Sequence, residues 1–196
     1  MDVVKAIETR RAYRSLDPVD ITEDLVRQLA DAAHKSASCF NNQSWRFVFV
    51  HEKGQLDRVK EALTKGNAWA RASSMIIVVM SRREYDCMPP DRDLYLFDTG
   101  MATAHLILRA TELGLVAHPI SGYHHEVVRE VLGIPPELTV ACLVIVGRKA
   151  DKPSPVLEPW QLERDTGPRV RKPLEEVMHL NAYHPEQEKW VPREKK

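Results

Sequence analysis

"MIIVVMS", Met75–Ser81, is a run of six apolar residues closed by a serine. A run this short and this apolar reads as a strand buried on both faces. "TVACLVIVG", residues 139–147, reads the same way. Working outward, "SASCFNNQSWRFVFV" occupies residues 36–50. Trp45, Phe47 and Phe49 alternate with Arg46, Val48 and Val50, which predicts a strand over 45–51. "LVAHPI" predicts a further short strand.

Helical patterns fill the intervals. Val3, Val4, Ala6 and Ile7 suggest a short first helix. "DITEDLVRQLADAAHK" follows, with Thr22 as N-cap, Glu23 and Asp24 in its first turn, and a stripe of Leu25, Leu29 and Ala32 or Ala33. "GQLDRVKEALTKG" reads as a helix closed by Gly66, and "NAWARASS" as a short connection. The longest helix runs through "LYLFDTGMATAHLILRATELG" to Gly114, and "HHEVVREVLG" ends at Gly133. The alternation of strands and helices, taken alone, suggests an α/β protein with a parallel sheet.

The totals bound the function. The 196 residues carry 28 basic and 28 acidic side chains, so no global field favours nucleic acid or anionic lipid. No apolar run reaches the roughly 20 residues of a membrane span, and the first residues lack the apolar core of a signal peptide. Cys39, Cys87 and Cys142 are odd in number and share no CxxC spacing. They argue against a disulfide framework or a zinc site, and for a reducing cytoplasm. No metal site is expected. From Arg148 onward, seven prolines between Pro153 and Pro192 mix with charge and with Leu157, Trp160, Leu174, Val177, Met178, Leu180 and Trp190. The chain therefore divides into a core, 1–150, and an arm, 151–196, expected to pack on a second subunit.

Four segments carry candidate chemistry. In "TRRAYR", Arg10, Arg11 and Arg14 fall where a helix ends; Arg10 and Arg14 can share a face, and guanidinium forks suit phosphate. The alternative is a solvated basic helix end. Ser38, Asn41 and Gln43 form either a hydrogen-bonded turn or a polar ligand surface. "HPISGY" runs a strand into Ser121–Gly122, where small residues let backbone approach a ligand or make a tight turn. In "RVRKP", Arg169 and Arg171 point the same way in extended chain, as a second clamp or a solvated tail. His118, His124 and His125 lack a ligand pattern and read as surface or helix-start residues. The loop over 82–93, with paired prolines, reads as exposed and mobile. No GxGxxG, GxxxxGK[ST] or GxSxG motif is present.

In order and spacing, "ETRRAYRSLDP", "LADAAHKSASCFNNQSWRFVFV", "GNAWARASSMIIVV", "FDTGMATAHLILRATELGLVAHPISGY" and "RVRKPLEEVMH" together resemble the FMN-dependent nitroreductase family, from about residue 3 to residue 180. The resemblance implies an α+β three-layer sandwich, with a mixed, mostly antiparallel sheet between helices, interlocked as a homodimer by the C-terminal arm. That replaces the parallel sheet. It implies FMN at the subunit interface. Arg10 would bind the phosphate, Arg11 would act mainly through its backbone beside Ala12, and Arg14 would reach the ribityl chain or pyrimidine edge. Arg169 and Arg171 would add to the phosphate site. Ser38 and Asn41 would come from the other subunit, and Asn67 would meet the pyrimidine edge. The backbone of Pro119, Ile120, Ser121 and Gly122 would face the flavin, with Ser121 and Gly122 near N5 and O4. Phe40 and Tyr123 would shape the substrate pocket. Ala12, Ala37 and Ser44 depart from the family pattern, and Phe40 is bulkier than usual there.

The implied activity is a ping-pong oxidoreductase. NAD(P)H reduces flavin at N5, and a nitroaromatic or quinone then takes the electrons on the same face. A reductive dehalogenase, a flavin-consuming enzyme and a non-catalytic flavin-binding module are the alternatives on this scaffold.

Overall fold

A computed structural model describes residues 1–187. Trp190, read above as part of the arm, lies outside the described residues. The elements follow local signals. Helix α1, Val3–Thr9, starts where the Asp2 side chain accepts from Lys5 N at 2.8 Å. Helix α2, Glu23–His34, is capped by Thr22, whose hydroxyl accepts from Leu25 N at 3.1 Å. Helix α3, Lys53–Lys60, begins on the Glu52 carboxylate, which takes the N–H groups of Gly54 and Gln55. Helix α4, Leu94–Glu112, and helix α5, His125–Leu132, end before Gly114 (φ 75°) and Gly133 (φ 63°), left-handed positions that suit glycine.

Five strands form one sheet: β1 (Leu16–Asp17), β2 (Trp45–Val50), β3 (Met75–Ser81), β4 (Val116–Ile120) and β5 (Thr139–Lys149). Strand β3 lies between β2 and β5, while β4 and β1 pair in succession along the other edge of β5. Every pairing among the described residues is antiparallel. This is the antiparallel sheet that the family resemblance implies, in place of the parallel sheet suggested by alternation alone. Periodicity fixes which face a residue occupies and carries no information on strand direction.

Both faces of the sheet are covered. Met75, Ile77 and Val79 of β3 join Val144 and Val146 of β5 under Leu29, Ala33, Ala102 and Leu106 of α2 and α4. Ile76, Val78 and Met80 join Leu143 and Ile145 under Leu56, Val59 and Val128 of α3 and α5. The apolar run that opened the sequence is thus a strand with two cores, in an α+β three-layer sandwich.

Other expectations need correction. Helix α3 stops at Lys60, and Gly66 sits in the following 3₁₀ stretch, Lys65–Ala72. Helix α6, Pro159–Thr166, packs on its own chain, with Gln161 and Asp165 buried. Its capping box between Glu158 and Gln161, with Pro159 in the first turn, explains why a proline-rich segment holds a helix. His118 is buried, not superficial. Cys39 and Cys87 form a disulfide, leaving Cys142 free. The separation of 48 positions hides that pairing in sequence. The β2–β3 register pairs Trp45 with Ser81. Cys39 precedes Trp45 by six residues and Cys87 follows Ser81 by six, so the hairpin-like ladder brings them together. The loop over 82–93 is accordingly anchored at Asp86 and Cys87. No helix among the described residues is long and apolar enough to cross a membrane.

Candidate functional site

Arg10 is the C-cap of α1, and there the backbone turns extended (φ −55°, ψ 122°). The turn directs the arginine-rich segment across the face of α6. Arg10, Arg11, Ala12 and Arg14 line a cavity of about 380 Å³ with Glu163, Arg164 and the stretch 167–171, which includes Arg169 and Arg171. Six arginines against one glutamate give it a strongly positive lining, of the sign that suits an anion. Arg10 is half-buried and has no acidic partner among the described residues. Burial lowers its pKa first, and repulsion from Arg169 and Arg171 lowers it further. Both effects mark a cation short of countercharge, which a dianion would relieve.

The arginines are not equivalent. Arg11 donates to Arg164 O and Gly167 O, each at 2.9 Å, and lies over the Tyr13 ring. It holds the stretch after α6 in place. Arg169 donates to the carbonyls of Ile7, Glu8 and Arg10 and so caps the C-terminal end of α1. Arg171 donates to Val170 O. Arg14 sits between the Trp69 and Trp160 rings, at 5.9 and 5.3 Å from their centroids. Among the described residues the guanidinium of Arg10, like those of Arg14 and Arg164, makes no hydrogen bond, and Arg10 also lacks the ring contacts of Arg14.

Asp165 fixes this segment. Its carboxylate accepts from Arg14 N at 2.5 Å, Ser15 N at 3.2 Å and Ser15 Oγ at 2.6 Å. Ser15 Oγ in turn accepts from Ser154 N at 2.9 Å. Gln161 donates to Gly66 O at 2.8 Å, tying α6 to the turn that carries Asn67. Trp69 stacks on His118 at 4.6 Å and so links Arg14 to strand β4. The Nδ1–H of His118 donates to Tyr13 O at 3.0 Å, because a carbonyl partner requires a donor there. Burial is the main reason its pKa is pushed down to about 4, despite that bond.

At the end of β4, Pro119 is exposed and Ile120 buried, and Ser121 just beyond the strand is exposed. Gly122 O accepts from Thr64 Oγ1 and Asn67 Nδ2, each at 2.9 Å, and Trp69 Nε1 donates to Asn67 Oδ1 at 3.2 Å. Asn67 and the 119–122 backbone are therefore one unit. A Cβ on Gly122 would collide with the Asn67 amide and lie 3.0 Å from Thr64 Oγ1. Gly122→Ala is expected to cost about 1–3 kcal/mol, read as a lower thermal midpoint; an unchanged midpoint would show that the clamp is dispensable. Tyr123 donates to Val140 O at 3.0 Å, and burial raises its pKa to about 12.

The segment before β2 is built without glycine, yet Phe40, Asn41 and Gln43 have φ of 47°, 58° and 51°. Such backbone costs roughly 1–2 kcal/mol per residue and persists only where surroundings enforce it. Cys39 N donates to Asp98 Oδ2 at 2.7 Å, and Gln43 N to Ser38 Oγ at 2.9 Å. Ser44 Oγ donates to the buried Asp86 at 3.0 Å. Burial chiefly raises the pKa of Asp98, with a further push from Asp86. Phe40 is 92% exposed.

The structure thus gathers the expected site residues into three groups. Arg10, Arg11, Ala12, Arg14, Arg169 and Arg171 share the basic cavity. Asn67 and 119–123 form a second unit, joined to the first through Trp69 and Gln161. Ser38, Phe40 and Asn41 do not line the cavity of their own chain. Sequence reasoning missed Asp165, Trp69, His118, Thr64 and Gln161 as organisers. Their only signal is buried polarity, which appears once the chain is folded.

The Nitroreductase family model matches residues 7–72 and 55–148. A protein of Archaeoglobus fulgidus with the provisional name NADH dehydrogenase/NAD(P)H nitroreductase is 29% identical over 159 residues, covering 77% of this chain and 87% of its own. A solved structure titled as an oxidoreductase containing FMN is 29% identical, with a TM-score of 0.80 over 94% of this chain and 93% of the other. A nitroreductase family protein from Clostridium novyi NT, 24% identical, shares the fold with a TM-score of 0.71 over 77% of this chain and 87% of its own. The chain belongs to the nitroreductase family of oxidoreductases.

Proposed function

We propose that the protein is an FMN-dependent NAD(P)H oxidoreductase whose acceptor is an electron-poor molecule, a nitroaromatic or a quinone, with ping-pong turnover. The observation that carries this reading is the basic cavity around Arg10, a half-buried cation without an acidic partner among the described residues. A phosphate monoester of nearly two negative charges fits that donor set, and family membership makes FMN the group to expect. Bound there, FMN would supply the redox chemistry, accepting two electrons from the nicotinamide and releasing them to the acceptor.

The chain's own residues bind and orient. Arg10 would meet the phosphate with two donors, with Arg171 alongside. Arg169 would add field from its place on the end of α1. Arg11 and Asp165 hold the walls of the cavity. The Thr64–Asn67–Gly122 clamp sets the backbone at 121–122 as rigid donors for the flavin edge. No side-chain nucleophile or base is required.

Two further features support a site shared between two subunits. Ser38 and Asn41 lie away from their own chain's cavity. Val3, Val4 and Ile7 of α1, Phe97 of α4, and Val170, Leu174, Val177 and Leu180 beyond α6 are exposed apolar side chains that a second copy would cover. The stretch after α6 would then cross to the partner.

The test is an absorbance spectrum of the purified protein, identification of the released cofactor, and NAD(P)H oxidation with a panel of acceptors. Arg10→Ala should weaken FMN binding about 10- to 100-fold, the range expected on losing one charge-assisted phosphate contact. Equal FMN affinity in the variant would remove the phosphate role. Light scattering should give a dimer; a monomer that still turns over would remove the shared site.

A further inference from the structure

We propose that the Cys39–Cys87 disulfide is a reversible latch on the loop carrying Phe40 and Asn41, opened by thiol–disulfide exchange with an external dithiol. The inference deepens the function proposed above, since it rests on that loop bordering the acceptor side of the site.

The disulfide joins two segments that lie beyond the β2–β3 ladder and share no strand pairing. The loop it restrains has three non-glycine residues at positive φ. Such backbone holds only while it is over-determined. The other ties include hydrogen bonds from Cys39 N to Asp98, from Asn42 Nδ2 to Asp86 at 3.4 Å and to Cys87 Sγ at 3.6 Å, and from Ser44 Oγ to Asp86 at 3.0 Å. The disulfide is the single covalent tie, so its loss releases the loop most.

Both bonded cysteines are partly exposed and reachable by a reductant. Cys142 does not compete, because burial pushes its thiol up to about 11. Cys39, Cys87 and Asp86 also have metal-ligand spacing, with ligand atoms within 4.8 Å of one another. Their two sulfurs are bonded to each other, so no thiolate is free to ligate and exchange is the chemistry the arrangement favours. In that exchange a donor thiolate attacks one sulfur and the S–S bond breaks. The donor's second thiol then resolves the mixed disulfide. The protein gains two electrons and two protons as two thiols, and the donor leaves as a cyclic disulfide.

The holoenzyme is treated with dithiothreitol, desalted under argon and compared with the untreated protein. Thiol titration in denaturant should rise from one to three per chain. Trypsin should cut at Arg83 or Arg92 at least about threefold faster, because local opening governs cleavage. The acceptor KM should rise severalfold while FMN stays bound. A Cys39→Ser/Cys87→Ser variant should match the reduced form and ignore dithiothreitol. Three thiols in the untreated protein would overturn the proposal, as would equal cleavage rates and equal acceptor KM in both forms. Thiol count and cleavage need neither flavin nor turnover. Faster cleavage on reduction in a protein that never oxidises NAD(P)H would therefore sink the function and leave the latch standing.

Discussion

Replacing Asp165 with alanine is expected to destabilise the protein by roughly 3 kcal/mol or more and to lower FMN affinity with it. The carboxylate is buried and accepts three hydrogen bonds, from Arg14 N, Ser15 N and Ser15 Oγ. Removing it strands those donors out of water, and each buried unsatisfied group costs about 1–3 kcal/mol. The damage is local to function, because residues 10–15 carry Arg10, Arg11 and Arg14. Without the pin, α6 loses its hold on that segment, and the two walls of the cavity separate. Asp165→Asn keeps one acceptor oxygen and should fall between wild type and alanine. Denaturant unfolding measures the first effect and flavin titration the second. A variant within about 1 kcal/mol of wild type would mean that the two walls are held by packing alone.

The second large effect is acid loss of stability through His118. Its folded pKa is about 4, against an ordinary value of 6.5. An unfolded chain therefore takes up a proton below pH 6.5 that the folded chain refuses. The contribution to stability is complete above about pH 6.5, falls as pH drops, and is gone near pH 4. Across that window it is worth on the order of 3 kcal/mol. Burial against Trp69 is the main cause. Arg14 and Arg10 add repulsion, while Tyr13 O and Asp165 act the other way. His118→Asn retains an N–H donor for Tyr13 O and removes the titration. Unfolding free energies at pH 7.5, 6, 5 and 4 should diverge between the two proteins, with wild type losing more between pH 6.5 and 4. Parallel curves would assign the acid sensitivity to other groups.

Much of this architecture is legible residue by residue. Thr22 announces the start of α2, and Gly114 and Gly133 announce the ends of α4 and α5. Capping is satisfied within a few residues, so local sequence is enough to read it. The alternating faces of β3 follow from the period of two in a strand. The first basic segment and the 119–123 turn are candidates for one site because their order and spacing resemble one family.

Other features have no local signature. The Cys39–Cys87 bond joins residues 48 apart, and only the β2–β3 register brings them within reach. Asp165 reads as one more charge in a charged tail, until α6 folds back and buries it under Arg14 and Ser15. His118 reads as one of three neighbouring histidines, until Trp69 and Tyr13 O enclose it. Arg169 was expected on the phosphate, and its donors also close the end of α1.

By itself, then, the sequence determined where α2 begins and where α4 and α5 end, which strands are buried on both faces, and which family these segments resemble. Those properties rest on interactions spanning a few residues or on a pattern with a fixed period. Tertiary structure alone decided the strand order, the disulfide, the charge state of His118 and the pin at Asp165. Each of these depends on which distant groups share a low-dielectric space, and that is settled only when the whole chain packs.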